Sequence, residues 1–238
     1  MVGWSGCGRH WSGPAIAMVF VGAACEISSH APSHERGTES DGTVASCSDA
    51  AADFSSGLNP NGPWSYGWSA GAFLQPAFTM YTEFGSGLNG WAESADQVQW
   101  TAPGASFPVA WLNTADAVRH PGGTTTVQPH QLVLHPGPAG EFSTARWTAP
   151  ITGKVIVKAF FEGVAGYANS PVTSAVLHVQ HNGLEIAAGI LNLDDAGNSF
   201  AWESTVDLAA RDTLDFLVGD GNESYLPDST ALSAIICY

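Results

Sequence analysis

Lys154-Val-Ile-Val-Lys-Ala-Phe-Phe161 decides the fold class of this 238-residue chain. Its odd-numbered positions, from Val155 to Phe161, are all apolar, and this two-residue period is typical of a strand with one buried face. The segment from Ser174 to Gln180 alternates in the same way, and His181-Asn-Gly183 follows it as a hairpin turn. No stretch shows convincing helical spacing over about ten residues. The sequence therefore predicts an all-β protein.

Further short strands separated by turn residues extend this pattern along the chain. They are predicted at Trp64 to Ser69, Phe200 to Leu208, Asp212 to Val218 and Leu232 to Cys237. Strands at this spacing, with Gly, Pro, Asn and Asp between them, are typical of a sandwich or a barrel. We expect a single antiparallel, jelly-roll-like β-sandwich domain over residues 53–238.

The charge balance narrows the classes of function. Seven basic residues stand against 22 acidic ones, which gives a formal net charge of −15. So acidic a chain is repelled by phosphate backbones, and this argues against nucleic-acid binding. Charged residues make up only 12% of the sequence and hydrophobic residues 45%, which argues against disorder and against coiled coils.

The N-terminal segment has the pattern of a signal peptide over residues 1–24. Arg9 is its only charge, and a short apolar run with small residues leads to Cys25. The small residues before Cys25 predict lipidation of this cysteine, and ordinary cleavage near Ala23 or Ala24 is the alternative. Residues 25–52 are rich in Ser, Thr and Gly and predict a flexible tether. We expect an extracellular or outer-envelope protein, attached to the membrane only through the lipid.

Two cysteines remain near the ends of the mature chain. In an oxidising compartment Cys47 and Cys237 are natural disulfide partners, and such a bond would clamp the terminal segments of a sandwich together. Free thiols, or a bond to Cys25, are the alternatives.

Several phrases resemble a known family. They are Asn59-Pro-Asn-Gly-Pro-Trp-Ser-Tyr-Gly67, His135-Pro-Gly-Pro138, Arg146-Trp-Thr-Ala-Pro150, the segment from Ala210 to Gly219, and the segment from Asp228 to Ile235. Together they resemble a β-sandwich domain that is common in secreted bacterial proteins, surface-anchored proteins and lipoproteins. The resemblance covers about residues 53–238 and implies a sandwich similar in outline to carbohydrate-binding modules. It implies no catalytic residues.

Aromatic residues carry the best functional signal. Trp64, Tyr66 and Trp68 form a stripe on one face of a predicted strand, and such flat rings suit the apolar faces of sugars. The alternative is that the stripe belongs to the core. Trp91 and Trp111, which lie nearer to turn residues, are further candidate contacts. We therefore expect a non-catalytic domain that binds carbohydrate or a cell-surface glycan. The alternative is a structural or protein-interaction domain of the cell envelope.

Catalytic patterns are present but weak. Gly67-Trp-Ser-Ala-Gly71 matches a nucleophile elbow, although no helix follows it, and its partners would have to be Asp116 with His120 or His135. Glu203 and Asp207 share a strand face, as a pair of glycosidase carboxylates could. Neither pattern is enough to predict an enzyme.

Metal-binding patterns are equally weak. His178 and His181 fall on opposite faces of a strand, so they cannot easily share an ion. Several acids could supply oxygen ligands to a structural calcium ion, and a solvated acidic surface is the alternative. They are Asp194, Asp195, Asp212, Asp215, Asp228 and the loop Asp220-Gly-Asn-Glu223. We expect no other cofactor.

Overall fold

The computed structural model describes residues 46–70, 77–86, 96–123, 125–165, 174–192, 198–221 and 225–238. All of them lie in one compact unit, Thr43–Tyr238. Its strands are β1 Cys47–Asp49, β2 Trp64–Ser69, β3 Thr79–Met80, β4 Glu83–Ser86, β5 Gln97–Thr101, β6 Val109–Asn113, β7 Leu132–His135, β8 Phe142–Thr148, β9 Gly153–Gly163, β10 Ser174–His181, β11 Leu184–Asn192, β12 Ser199–Leu208, β13 Thr213–Asp220 and β14 Thr230–Cys237. A short 3₁₀ turn occupies Pro121–Gly123. No helix in these ranges is long and apolar enough to cross a membrane.

The strands form two antiparallel sheets. One sheet has eight strands in the order β12-β9-β14-β7-β6-β5-β4, with β1 paired to β14, and the other has six in the order β11-β10-β13-β8-β2-β3. From β7 to β10, and again from β11 to β14, each connection carries the chain to the opposite sheet. Such crossings are typical of a jelly roll. The prediction of an all-β, jelly-roll-like sandwich is confirmed.

The main core lies between the two sheets. Val155, Val157 and Phe161 of β9 are buried there, as their alternation predicts. From the facing sheet, Trp64 and Trp147 fill the same layer. These apolar faces hold the sheets together because their burial removes them from water.

A second, smaller core covers the outer face of the eight-stranded sheet. Trp111 and Val133 point outward from β6 and β7, and Val127 of the β6–β7 connection packs over them. Asn113, which is buried, holds this connection in place because its Nδ2 donates to the carbonyl oxygens of Ala117 at 3.0 Å and Gln128 at 2.9 Å. The connection is therefore an ordered cover over part of the sheet.

The domain begins earlier than the sequence predicts. β1 starts at Cys47, inside the segment predicted as a tether, and it pairs with the last strand. The boundary predicted between residues 52 and 53 is therefore too late. The Cys47–Cys237 disulfide is present, as predicted. The predicted signal peptide, Cys25 and residues 25–45 of the tether lie outside the described residues.

Candidate functional site

The aromatic stripe of β2 belongs to the core. Trp64 and Tyr66 are fully buried, and the Tyr66 hydroxyl donates to the Ala50 carbonyl oxygen. Trp68 is half-buried and packs against the same cluster. A ring with no open face cannot stack on a ligand. The prediction that this stripe forms a sugar platform is therefore wrong for Trp64 and Tyr66.

The other two predicted aromatic contacts provide no platform in the described structure. Trp111 is buried under Val127 in the second core, so its ring is closed to solvent. Trp91 lies outside the described residues. The exposed aromatic face must therefore be sought elsewhere on the sandwich.

One such face lies on β9, on the outer side of the eight-stranded sheet. The even-numbered side chains of β9 point away from the core, and those of Ile156 and Phe160 are exposed. Phe160 has 42% of its surface accessible. Its ring is an apolar surface set among the polar side chains of Lys158 and Glu162. The position follows from the alternation of β9, because Phe161 occupies the buried side.

Small residues flank Phe160 on both neighbouring strands. In the β9–β12 register Phe160 lies opposite Ala201, and in the β9–β14 register it lies opposite Ser233. Neither side chain is long enough to cover an aromatic ring. The ring therefore stands between two open depressions.

These two depressions share Phe160 and Ser233 as lining residues, and together we call them the Phe160 groove. The first has a volume of about 370 Å³ and the second about 300 Å³. Lining side chains of the first include Lys158, Ala201, Glu203 and Ile235. Those of the second include Asp49, Gln128, His130 and Gln131. The β6–β7 connection that covers the second core thus also builds one wall of the groove.

The polar groups along the groove pair loosely with one another. Lys158 Nζ lies 3.3 Å from Glu203 Oε1, and Gln131 Nε2 donates to Glu162 Oε2 at 3.4 Å. These side chains are exposed, and exposed pairs contribute little stability. These side chains can therefore turn toward a ligand with little loss of folding free energy. The groove offers amide, carboxylate, ammonium and hydroxyl groups around one aromatic ring.

The residues of the nucleophile-elbow pattern are not brought together. Ser69 is the last residue of β2 and is buried within a strand of the six-stranded sheet. His120 and Asp116 lie in the β6–β7 connection of the other sheet, and Asp116 pairs with His130 at 2.8 Å. His135 is buried at the end of β7 and contacts the Pro136 carbonyl oxygen through Nδ1 at 2.8 Å. The described structure thus assembles no Ser-His-Asp arrangement from them.

The two candidate glycosidase carboxylates are each engaged by a lysine. Glu203 pairs with Lys158 at 3.3 Å, and Asp207 pairs with Lys154 at 3.2 Å. All four side chains lie on the outer face of β9 and β12, and in the described structure Glu203 and Asp207 follow one strand rather than facing each other across a cleft. Their geometry is that of cross-strand ion pairs.

Two of the candidate calcium ligands, Asp212 and Asp215, have other partners. Asp212 accepts hydrogen bonds from Asn182 and the Ala209 backbone and contacts His181, and these contacts lower the pKa of its carboxyl to about 2. Asp215 forms a two-point pair with Arg146. Asp194, Asp195 and residues 222–223 lie outside the described residues. In the described part of the chain, no group of three or more His, Cys, Asp or Glu side chains is placed to hold a metal.

The outer face of the six-stranded sheet is polar but covered. The Arg146 guanidinium lies under the Phe78 ring, 4.1 Å from its centroid. His178 contacts Glu185 through Nδ1 at 2.7 Å, and burial lowers the pKa of His178 despite this carboxylate. These polar side chains are used within the fold, so this face is a weaker candidate than the Phe160 groove.

No protein-family model matches the chain, and no curated protein matches it in sequence. Solved structures do match. CBM51 from Clostridium perfringens GH95, in complex with methyl-galactose, is 14% identical with a TM-score of 0.37, over 67% of this chain and 95% of that one. A family 35 carbohydrate binding module from Clostridium thermocellum is 11% identical with a TM-score of 0.26, over 59% of this chain and 87% of that one.

A third match is the structure of CBM51-2 in complex with GlcNAc and INT domains from Clostridium perfringens ZmpB. It is 14% identical with a TM-score of 0.34, over 47% of this chain. This chain spans only 22% of that protein's chain. The strand order and register of the two sheets establish the sandwich fold.

Proposed function

We propose that this chain is a non-catalytic carbohydrate-binding domain and that the Phe160 groove is its binding site. One observation carries the proposal: an exposed aromatic ring stands at the centre of the groove, with Ala201 and Ser233 on its two flanks. Because neither of these small side chains covers the ring, it is accessible to a ligand that lies along the groove.

The chemistry of the groove suits a sugar chain. A pyranose ring has an apolar C–H face that can pack on an aromatic ring, and hydroxyl groups at its rim that both donate and accept hydrogen bonds. Gln128, Gln131 and Ser233 supply side chains that do the same. Depressions of about 370 and 300 Å³ on the two sides of Phe160 suit a chain that crosses the ring with sugars on both sides.

The local charge favours a neutral glycan. Glu162, Glu203 and Asp49 border the groove, and the whole chain carries a net charge of −15. Sulfated or uronic-acid polymers would be repelled by this field. We therefore expect neutral polysaccharides to bind and anionic ones to bind weakly or not at all.

The test is binding of the full chain to soluble neutral polysaccharides, measured by affinity electrophoresis and isothermal titration calorimetry. Phe160→Ala should lower the affinity at least about tenfold, because the stacking surface is lost. Phe84→Ala is the matched control. Phe84 is similarly exposed, at 39%, but lies on β4 at the far edge of the same sheet.

A second variant blocks the groove without removing the ring. Ser233→Leu places a bulky side chain beside Phe160 and should also lower the affinity at least about tenfold. Both variants change exposed positions, so their melting temperatures should stay close to that of the wild type. If Phe160→Ala and Ser233→Leu bind as tightly as the wild type, the groove is not the site.

We further propose that the domain is secreted or lipid-anchored in the cell envelope. The Cys47–Cys237 disulfide supports this, because such bonds persist in oxidising compartments. Lipidation at Cys25 predicts that a Cys25→Ala variant moves from the membrane fraction to the soluble fraction. Equal partitioning of the two forms would contradict the anchor.

One observation favours a second function, that of a protein-interaction domain. β11 ends the described order of the six-stranded sheet, and its Leu184, Ile186 and Ile190 side chains are exposed. Apolar side chains on such a strand are typical of surfaces that bind other proteins. Two results together would support this alternative. The protein would bind no polysaccharide, and its self-association or its binding of another protein would depend on Ile190.

A further inference from the structure

Several oxygen atoms at one end of the sandwich are buried and have no hydrogen-bond partner among the described residues. Asp228 precedes β14 and is completely buried, and neither carboxylate oxygen is bonded within the described structure. Asn198 precedes β12, and its Oδ1 atom is also buried and unbonded there. Buried polar atoms are almost always paired, so these exceptions call for a ligand or a proton.

The backbone brings these residues to the two sides of β9. Gly163 N donates to the Asn198 carbonyl oxygen at 3.2 Å, and Val164 N donates to the Ser229 carbonyl oxygen at 3.0 Å. Asn198 and the segment at Asp228 therefore flank the end of the same strand, about two strand spacings apart, or roughly 10 Å between backbones. Side chains that lean toward each other over β9 can close that distance.

Asp220 approaches from the facing sheet. It is the last residue of β13, at the end from which the chain crosses to β14. Its core-side neighbours on β13 are Phe216 and Val218, so the strand alternation places the Asp220 side chain between the sheets. Burial, together with the charge of Asp220, raises the pKa of Asp228 to about 8.

No basic side chain of the described structure neutralises this pair. Four of its five lysines and arginines are engaged elsewhere, in Arg119–Asp96, Arg146–Asp215, Lys154–Asp207 and Lys158–Glu203 pairs. The fifth, Arg211, lies in the β12–β13 turn, at the opposite end of β13 from Asp220. An unpaired carboxylate in such a position is strongly destabilising.

We propose that Asp228, Asp220 and Asn198 bind a calcium ion between the two sheets. The donors are all oxygen atoms, two carboxylates and one amide carbonyl, which is the ligand set of a hard cation and not of zinc or copper. Backbone carbonyls and water would complete the six to eight ligands that calcium takes. The ion would tie the end of β13 to the starts of β12 and β14, and so brace one end of the sandwich.

Thermal unfolding of the full chain tests this site. After treatment with a chelator and dialysis, adding calcium at about a hundred times its Kd should raise Tm by roughly 5 °C or more. Terbium should bind in place of calcium, and its luminescence should be sensitised by Tyr225, whose carbonyl oxygen accepts a hydrogen bond from Asp228 N. Calcium should then displace terbium.

Four variants separate ion binding from a general effect of charge. Asp228→Asn and Asp220→Asn should each remove the calcium-dependent rise in Tm. Asn198→Ala should weaken calcium binding about tenfold without altering the charge. Asp207→Asn, which removes an exposed carboxylate at the other end of β12, should leave the rise intact.

The alternative to a calcium site predicts different results. A carboxyl held neutral by a proton, with no ion, predicts that calcium leaves the wild-type Tm unchanged. It also predicts that, with calcium present, Asp228→Asn raises the Tm at neutral pH, because folding then no longer requires protonation of a carboxyl that is ionised in the unfolded chain. Either outcome would overturn the calcium site, and neither bears on the Phe160 groove.

Discussion

Cys47 and Cys237 are joined by a disulfide and are also direct partners in the antiparallel register of β1 and β14. The ladder continues past the bond, because Ser46 N donates to the Tyr238 carbonyl oxygen at 2.9 Å and Tyr238 N donates to that of Ser46 at 2.8 Å. The ends of the domain are therefore held covalently and by hydrogen bonds. The cysteines are 190 residues apart in sequence, so the bond restricts a very long loop in the unfolded chain.

Loss of this bond should destabilise the domain by about 2–5 kcal/mol. We expect the urea midpoint of the reduced protein to fall well below that of the oxidised protein, with unfolding followed by circular dichroism. A Cys47→Ser/Cys237→Ser variant should match the reduced wild type, whether or not reductant is present. A midpoint that does not respond to reductant would show that the paired strands suffice without the bond.

The buried ion pair between Arg146 and Asp215 should be more important than any pair on the surface. Arg146 Nε and Nη2 donate to the two carboxylate oxygens of Asp215 at 2.6 and 2.7 Å, and Phe78 covers the guanidinium. Asp215→Ala leaves a shielded cation without its partner and should cost about 3–5 kcal/mol of stability. Chemical denaturation gives this value directly.

A double variant and a surface pair complete the experiment. Arg146→Met/Asp215→Leu removes both charges and should be less destabilised than Asp215→Ala alone, because no unpaired charge remains. The exposed Lys154–Asp207 pair, 3.2 Å apart, is the control, and Asp207→Ala should cost less than about 1 kcal/mol. If Asp215→Ala is as mild as Asp207→Ala, solvent must reach the buried pair.

The alternation of apolar residues and the turn residues were sufficient to predict much of the sandwich. The alternation of β9 identified its buried face, since Val157 and Phe161 lie in the core. The Asn182-Gly183 turn was equally clear, because both residues take positive φ, 52° and 78°, as a tight hairpin requires. These features depend on neighbours along the chain, and the sequence displays them directly.

The candidate site could not be predicted in the same way. The alternation assigned Phe161 to the core and left Phe160 on the other face, but exposure alone does not make a groove. The opening depends on Ala201 and Ser233, which come beside Phe160 only through the register of two distant strands. Strand register across a sheet is set by tertiary packing, and no local pattern encodes it.

The burial of Trp111 could not be predicted from neighbouring residues either. Turn residues follow it closely, and the sequence therefore favoured a surface position. It is buried because the β6–β7 connection folds back over the sheet and places Val127 on top of it. A long connection has no periodic signal from which its path can be predicted.

His135 is enclosed at the end of β7, with the Phe107 ring centroid 4.3 Å away and the Tyr225 ring at 5.9 Å. Burial lowers the pKa of its imidazole to about 4, from 6.5 in an unfolded chain. The folded ring is therefore neutral at pH 5, where the unfolded ring is protonated. Between pH 6.5 and 4 the unfolded state binds the extra proton, so stability must fall as pH falls through this range.

The expected loss from His135 is about 3 kcal/mol between pH 6.5 and 4, and its contribution is constant above that range. Stability measured by urea unfolding at several pH values should show this slope in the wild type. His135→Gln should reduce the slope, and the difference between the two curves isolates His135 because the carboxylates are common to both. Parallel curves for wild type and His135→Gln would mean that the imidazole is protonated within the fold.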